Sequence, residues 1–87
     1  MTRWHRDPRA LSRRSGPTVI LACPDREDLL VLEGSAALVW DLLSEPVDDE
    51  QLVATIAEGF GLDPETVSSD VRPFLGQLHE AGAVRRF

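Results

Sequence analysis

The sequence predicts a small α+β domain in which strands come first and three helices follow. Two features of the pattern carry this. Before residue 34, two apolar runs flank a turn-like tetrapeptide; after it come three segments with helical periodicity, each opened by a start signal. Length sets the scale: 87 residues, 43% hydrophobic and 6% aromatic, make one domain with a small core. A chain of this size buries only about 60% of the surface it exposes when unfolded.

Residues 1–17 are polar and punctuated by Pro8, Gly16 and Pro17, so they read as a loose arm with a short strand near Ala10 to Arg14. The domain proper is expected over residues 18–87. Thr18 to Cys23 is β-branched and apolar, Pro24-Asp25-Arg26-Glu27 is turn-like, and Asp28 to Glu33 is a second apolar run, which together predict an antiparallel hairpin. Gly34 breaks the second strand. Ser35 is the expected cap of a helix from Ala36 to about Leu43, apolar nearly all round and therefore central to the core.

Ser44-Glu45-Pro46 ends that helix, and Asp48 with Gln51 three residues on resembles a capping box for a second helix running to about Gly59. Its Leu52, Val53, Ile56, Ala57 and Phe60 form one stripe expected to face inward. Asp63 as cap, Pro64 in the first turn and Glu65 behind it start a third helix that runs to about Ala81 and closes at Gly82. Val67, Val71, Leu75 and Leu78 are its core stripe. Asp70, Phe74 and Gln77 flank that stripe, with Pro73 further round, where a bend is expected.

All nine basic residues are arginines, and fifteen acids leave a net charge of -6. The arm carries five of the arginines against Asp7 alone, a balance of +4, and the remainder of the chain stands at -10. The longest apolar runs, Val19 to Cys23 and Ala36 to Trp40, are five residues long, against about 20 needed to span a bilayer, so no membrane association is expected. The arginines at the N-terminus have no apolar segment behind them, so no secretory signal is read and the cytoplasm is the expected location. Cys23, His5 and His79 stand at unrelated spacings, which predicts neither a metal site nor a cofactor.

Function is read from the hairpin. A small antiparallel sheet with one wet face alternates apolar and polar residues, and Leu29-Leu30-Val31-Leu32 does not. Either Leu29 and Val31 or Leu30 and Leu32 must point away from the helices. One reading has the arm, with Trp4 and Leu11, folded over that second face. The other has the second strand as an open edge whose unpaired backbone groups accept an extended peptide, with Phe74 on the third helix as the floor of the adjoining groove.

From Val31 to Val84 the sequence resembles the PqqD family of peptide-binding domains, also called RiPP recognition elements. The matching residues are Leu32-Glu33-Gly34, Ala36-Ala37-Leu38-Val39-Trp40-Asp41-Leu42-Leu43, Leu52, Phe60, Asp63, Val67, Asp70-Val71, Phe74-Leu75, Leu78 and Gly82. The resemblance implies a winged-helix-like fold, with a small N-terminal antiparallel sheet of two or three strands packed on three helices. It also implies a role without chemistry. Such domains bind the leader of a ribosomally made precursor peptide and present it to a maturation enzyme, such as a peptidase or radical enzyme. The leader adds as a strand beside the last strand and the third helix. On this sequence the implied site is Asp28, Leu29, Leu30, Val31, Leu32 and Glu33 with Asp70, Pro73, Phe74 and Gln77.

A winged-helix-like fold also admits DNA binding or general protein interaction. Phosphate contacts need cations, and the third helix carries Glu65, Asp70 and Glu80 against Arg72 alone, so nucleic acid is not the expected partner. Arg13, Arg14, Arg85 and Arg86 are the remaining candidates for a basic edge. No nucleophile has a base and an orienting group in prospect, so no catalytic residue is assigned. Asp28, Glu33 and Asp70 are expected to edge the groove with negative charge and to steer a cationic leader. A monomer or weak homodimer is expected, because an open edge can also pair with its own copy.

Overall fold

In the computed structural model, which describes residues 2–87, the element order is β1 (Arg3–Arg6), β2 (Leu11–Ser15), β3 (Thr18–Ala22), β4 (Leu30–Leu32), α1 (Ser35–Leu42), β5 (Val47–Asp48), α2 (Asp49–Phe60), α3 (Pro64–Glu80) and β6 (Val84–Arg86). The strands form two antiparallel three-stranded sheets, ordered β2-β3-β4 and β5-β1-β6. This is the expected α+β class.

The β2–β3 connection is the two-residue turn Gly16-Pro17. Its first position needs the positive φ that Gly16 adopts, +60°, and proline presets the second. Val19 faces Leu32 and Leu21 faces Leu30 on the core side, while Ile20 faces Val31 on the outer side. The register thereby settles which pair points away from the helices: Leu29 and Val31 are 60% and 59% exposed, whereas Leu32 is 4% exposed and Leu30 half-buried.

The hairpin strand is shorter than expected. Asp28, Leu29 and Glu33 lie outside β4; on its N-terminal side, residues 23–29 form no strand, with a turn at Pro24-Asp25 and a bend at Glu27-Asp28. Two contacts hold them there: the Asp25 N–H donates to the Ala81 carbonyl at 3.0 Å, and Arg26 grips Asp28. Gly34, at φ +59°, ends the strand on the other side.

Ser35 does not cap α1. It is the first helical residue, and the cap position, Gly34, offers no side chain. The start of α2 is as expected, with the Asp48 carboxylate accepting the Gln51 N–H at 2.8 Å. That helix runs one residue further than expected and stops at Gly61 in the left-handed conformation. Phe60, assigned to the inward stripe, is instead exposed, since it is the last residue of α2 with the α2–α3 turn just beyond it. Asp63 and Pro64 open α3, which continues through the exposed Pro73. Trp40, Leu21, Leu43, Leu52, Ile56, Leu75, Leu78 and Val39 are the fully buried core, drawn from β3, α1 and its C-terminal end, α2 and α3.

Residues 3–6 correct the expectation of a loose arm. They form the central strand of the second sheet, paired on one side with β5 and on the other with β6. Trp4 is buried, meets the His79 ring edge-on at 6.1 Å, and donates from its indole N–H to Asp49. The arm's arginines are largely consumed within the fold: Arg6 and Arg14 pair with Asp41, and Arg9 pairs with Asp7. Leu11, on β2, remains 69% exposed, so neither it nor Trp4 covers the outer face of the hairpin.

Candidate peptide-binding groove

The β4 strand is an edge of its sheet. Backbone groups alternate along a strand, so each edge leaves every second N–H and C=O pointing outward. Among the described residues, no backbone hydrogen bond beyond the ladder with β3 engages Leu29 to Leu32. Leu32 lies in the core and takes no part in a surface. Leu29 and Val31 sit on the outer face, and Leu30 is half-buried at the inner margin of the edge.

The α3 residues expected to form the other wall differ in burial. Phe74 is half-buried and packs on the core, whereas Asp70, Pro73 and Gln77 are exposed. Gln77 lines a cleft of about 380 Å³ with Arg26, Glu80 and Ala81, which brings this flank of α3 against the loop that leads into β4. Gly82 explains how closely that loop approaches. A Cβ there would lie 2.5 Å from Asp25 Oδ2 and 3.3 Å from Pro24 Cγ, and the residue holds φ +74°. The β3–β4 loop is thus fastened to the C-terminal end of α3 by the bond from the Asp25 N–H to the Ala81 carbonyl, with the Asp25 and Pro24 side chains lying against Gly82, whose φ favours glycine.

The charge of the groove differs from expectation at one position. Asp28 is held by Arg26 at 2.8 Å and 3.2 Å, and this hydrogen bonding lowers its pKa below the usual carboxylate range. Its charge is therefore largely compensated. Glu33 and Asp70 have no ion-pair partner among the described residues. Arg26, Glu80 and Ala81 were not identified from sequence. Glu80 stands one helical step beyond Gln77 and was legible in principle, but Arg26 and Ala81 come in through the loop contact.

The remaining polar side chains have structural surroundings. His5 Nε2 lies 3.3 Å from the Ser44 carbonyl oxygen, His79 abuts Trp4, and Cys23 is buried, with burial raising its thiol pKa. Among the described residues, no group of three His, Cys, Asp or Glu side chains is placed to hold a metal, and no helix is long and apolar enough to cross a membrane. Of the arginines considered for a basic edge, Arg14 is bound to Asp41 and Arg85 lies 3.5 Å from Asp7.

Comparison with known proteins returns no match among curated sequences. Among solved structures, a chain described as TbiB1 in complex with the TbiA(beta) leader peptide matches with a TM-score of 0.83 at 23% identity, covering 93% of this chain and 94% of that one. That likeness, over nearly the whole chain, establishes the fold. The family described as coenzyme PQQ synthesis protein D matches residues 18–84, from the first residue of β3 to the first of β6. With the free β4 edge, the α3 flank and the intervening helices all inside that match, the chain belongs to the PqqD family.

Proposed function

We propose that this protein captures the leader segment of a ribosomally made precursor peptide and holds it for a separate maturation enzyme, contributing no chemistry of its own. The observation that carries the proposal is the open edge of β4, with the exposed Val31 at its centre and Leu30 packed, like Phe74 of α3, on the margin of the core. Backbone bonds along Leu30–Leu32 supply pairing, and the groove margin formed by Leu30, Phe74 and Gln77 supplies side-chain selectivity. Family membership and the likeness to a domain whose solved form contains a leader peptide support the same reading.

Three strand residues give few hydrogen bonds, so affinity must come largely from the leader's apolar side chains in the groove. Asp70, Pro73 and Gln77 form its outer rim; Asp28 and Glu33 bound the pairing segment; Leu29 and Val31 border it from the outer face. Leu32 anchors the strand from the core side.

The test uses fluorescein-labelled synthetic peptides covering the N-terminal segments of any short open reading frames encoded beside this gene. Phe74→Ala is expected to weaken binding by about tenfold or more, equivalent to about 1.4 kcal/mol, while circular dichroism stays native. Unchanged affinity in a folded Phe74→Ala protein would remove α3 from the site. Absence of binding by the parent protein would defeat the proposal.

A further inference from the structure

The β2-β3-β4 sheet has two open edges, and they are not equivalent. On β2, the five residues Leu11–Ser15 are all exposed and have no backbone partner beyond β3 among the described residues. At the centre of β2 stands Arg13, on the outer face opposite Ile20. At the centre of β4, in the same cross-strand row, stands Val31.

An open edge can pair with the same edge of a second copy about a two-fold axis normal to the sheet. That operation reverses strand direction, as antiparallel pairing requires, and keeps the outer faces of both sheets on one side. Applied to β2, it would set Arg13 against Arg13 of the second copy, a like-charge pair directly opposite, which is destabilising. A central charged side chain is one of the devices by which sheet edges are kept from pairing.

Applied to β4, it sets Val31 against Val31 of the second copy and Leu30 against Leu32 of the second copy. The exposed row Ile20–Val31 then continues into Val31–Ile20 across the axis. The 59% exposed Val31 is covered, and the half-buried Leu30 gains an apolar neighbour.

We infer that, without a peptide, two copies of this chain pair antiparallel through β4 about a two-fold axis at Val31, forming a six-stranded sheet whose seam occupies the peptide-binding edge. The inference shares that edge with the peptide reading but is tested without a peptide. The paired strands are three residues long, so the interface falls below the roughly 1,200 Å² of total buried surface typical of stable complexes, and the dimer is weak and exchanging. Each copy carries a net charge of -6, so the copies repel and association strengthens as salt screens them. A leader and a second copy exclude one another, so leader binding returns the protein to a monomer.

Sedimentation of the full chain between about 10 µM and about 1 mM covers the range for so small an interface. The weight-average mass is expected to rise toward twice the monomer value without exceeding it, and to rise further at about 0.5 M salt than at about 0.05 M. Val31→Lys, which faces two ammonium groups at the axis, is expected to weaken association at least about tenfold. Leu11→Gln, an exposed substitution on the same face but at the other edge, is expected to leave it unchanged. A monomer throughout at high salt overturns the inference and leaves the peptide reading intact. So does growth past the dimer, or a Val31→Lys protein that associates normally. Equal loss in Leu11→Gln would show face-to-face contact in place of edge pairing.

Discussion

The Arg6 guanidinium lies 4.5 Å from the centre of the Trp40 ring and donates to the Trp40 carbonyl oxygen from both Nε, at 3.0 Å, and Nη2, at 2.7 Å. Trp40 is in the last turn of α1, where its carbonyl oxygen also accepts the Leu43 N–H at 3.2 Å, so one side chain of β1 adds to the helix cap, places a cation at its negative end and covers its aromatic ring. Burial lowers the Arg6 pKa and Asp41 raises it; the side chain stays charged. Arg6→Ala is expected to cost about 1–3 kcal/mol in urea unfolding, from the lost charge-assisted bonds and ring contact. Arg6→Lys should recover only part of this, because an ammonium cannot reproduce the fork.

Asp7 predicts a pH signature. Its buried carboxylate accepts from the Arg9 side chain at 3.1 and 3.2 Å and from the Arg9 backbone N–H at 2.8 Å, with Arg85 nearby, and these partners lower its pKa from 3.8 to about 2. A carboxylate depressed on folding stabilises the native state fully above its unfolded pKa and loses that contribution as pH falls through the folded value. The difference in melting temperature between the parent protein and Asp7→Asn is therefore expected to be constant near neutrality and to shrink between about pH 4 and about pH 2. A difference that persists at the acid end would show that the Asp7 side chain contributes through something other than its charge.

Gly82→Ala tests the fastening of the β3–β4 loop. An alanine held at φ +74° costs about 1–2 kcal/mol, and its Cβ meets the Asp25 carboxylate and Pro24. The expected outcome is a lower unfolding midpoint together with faster amide exchange at Asp25, whose N–H bonds Ala81. A midpoint change without the exchange change would separate backbone strain from loop release.

Adjacent residues of β4 should respond in opposite ways. Leu32→Ala, in the core, is expected to cost about 2–5 kcal/mol. Val31→Thr, exposed on the outer face, should stay within about 0.5 kcal/mol of the parent, because it keeps a β-branched side chain and opens no cavity. Equal losses by chemical denaturation would contradict the register in which Val19 faces Leu32 and Ile20 faces Val31.

The parts legible in the sequence were those with local signals. Asp48 with Gln51, and Asp63 before Pro64, marked helix starts because a cap is a contact between residues two or three apart. The placement of Phe74 and Gln77 beside the core stripe follows from helical phase alone. The second sheet had no such signal. Its strands β5 and β6 are two and three residues long, too short for a period of two to register, and its central strand is rich in arginine. What makes Arg3–Arg6 a strand is pairing with residues more than forty positions away, and what makes Arg6, Arg9 and Arg14 structural is the location of Asp7, Asp41 and the Trp40 carbonyl. Arg26 escaped notice for the same reason: its place beside Gln77 follows from the loop's attachment to Ala81.

The pairing of β1 with β6 bears on how the chain is made. Arg3 and Phe87 exchange backbone hydrogen bonds at 2.7 and 2.9 Å, so β1 can meet β6 only after residues 84–87 have emerged. At translation rates of about 5–20 residues per second, Trp4 waits on the order of ten seconds without its sheet. The hairpin and the helices, built from contacts closer in sequence, can assemble in that interval, and closure of β1 onto β5 and β6 is then the final event of folding. A ribosome-stalled chain lacking residues 84–87 should accordingly show native helix content with a solvent-exposed Trp4, a state visible in its tryptophan fluorescence.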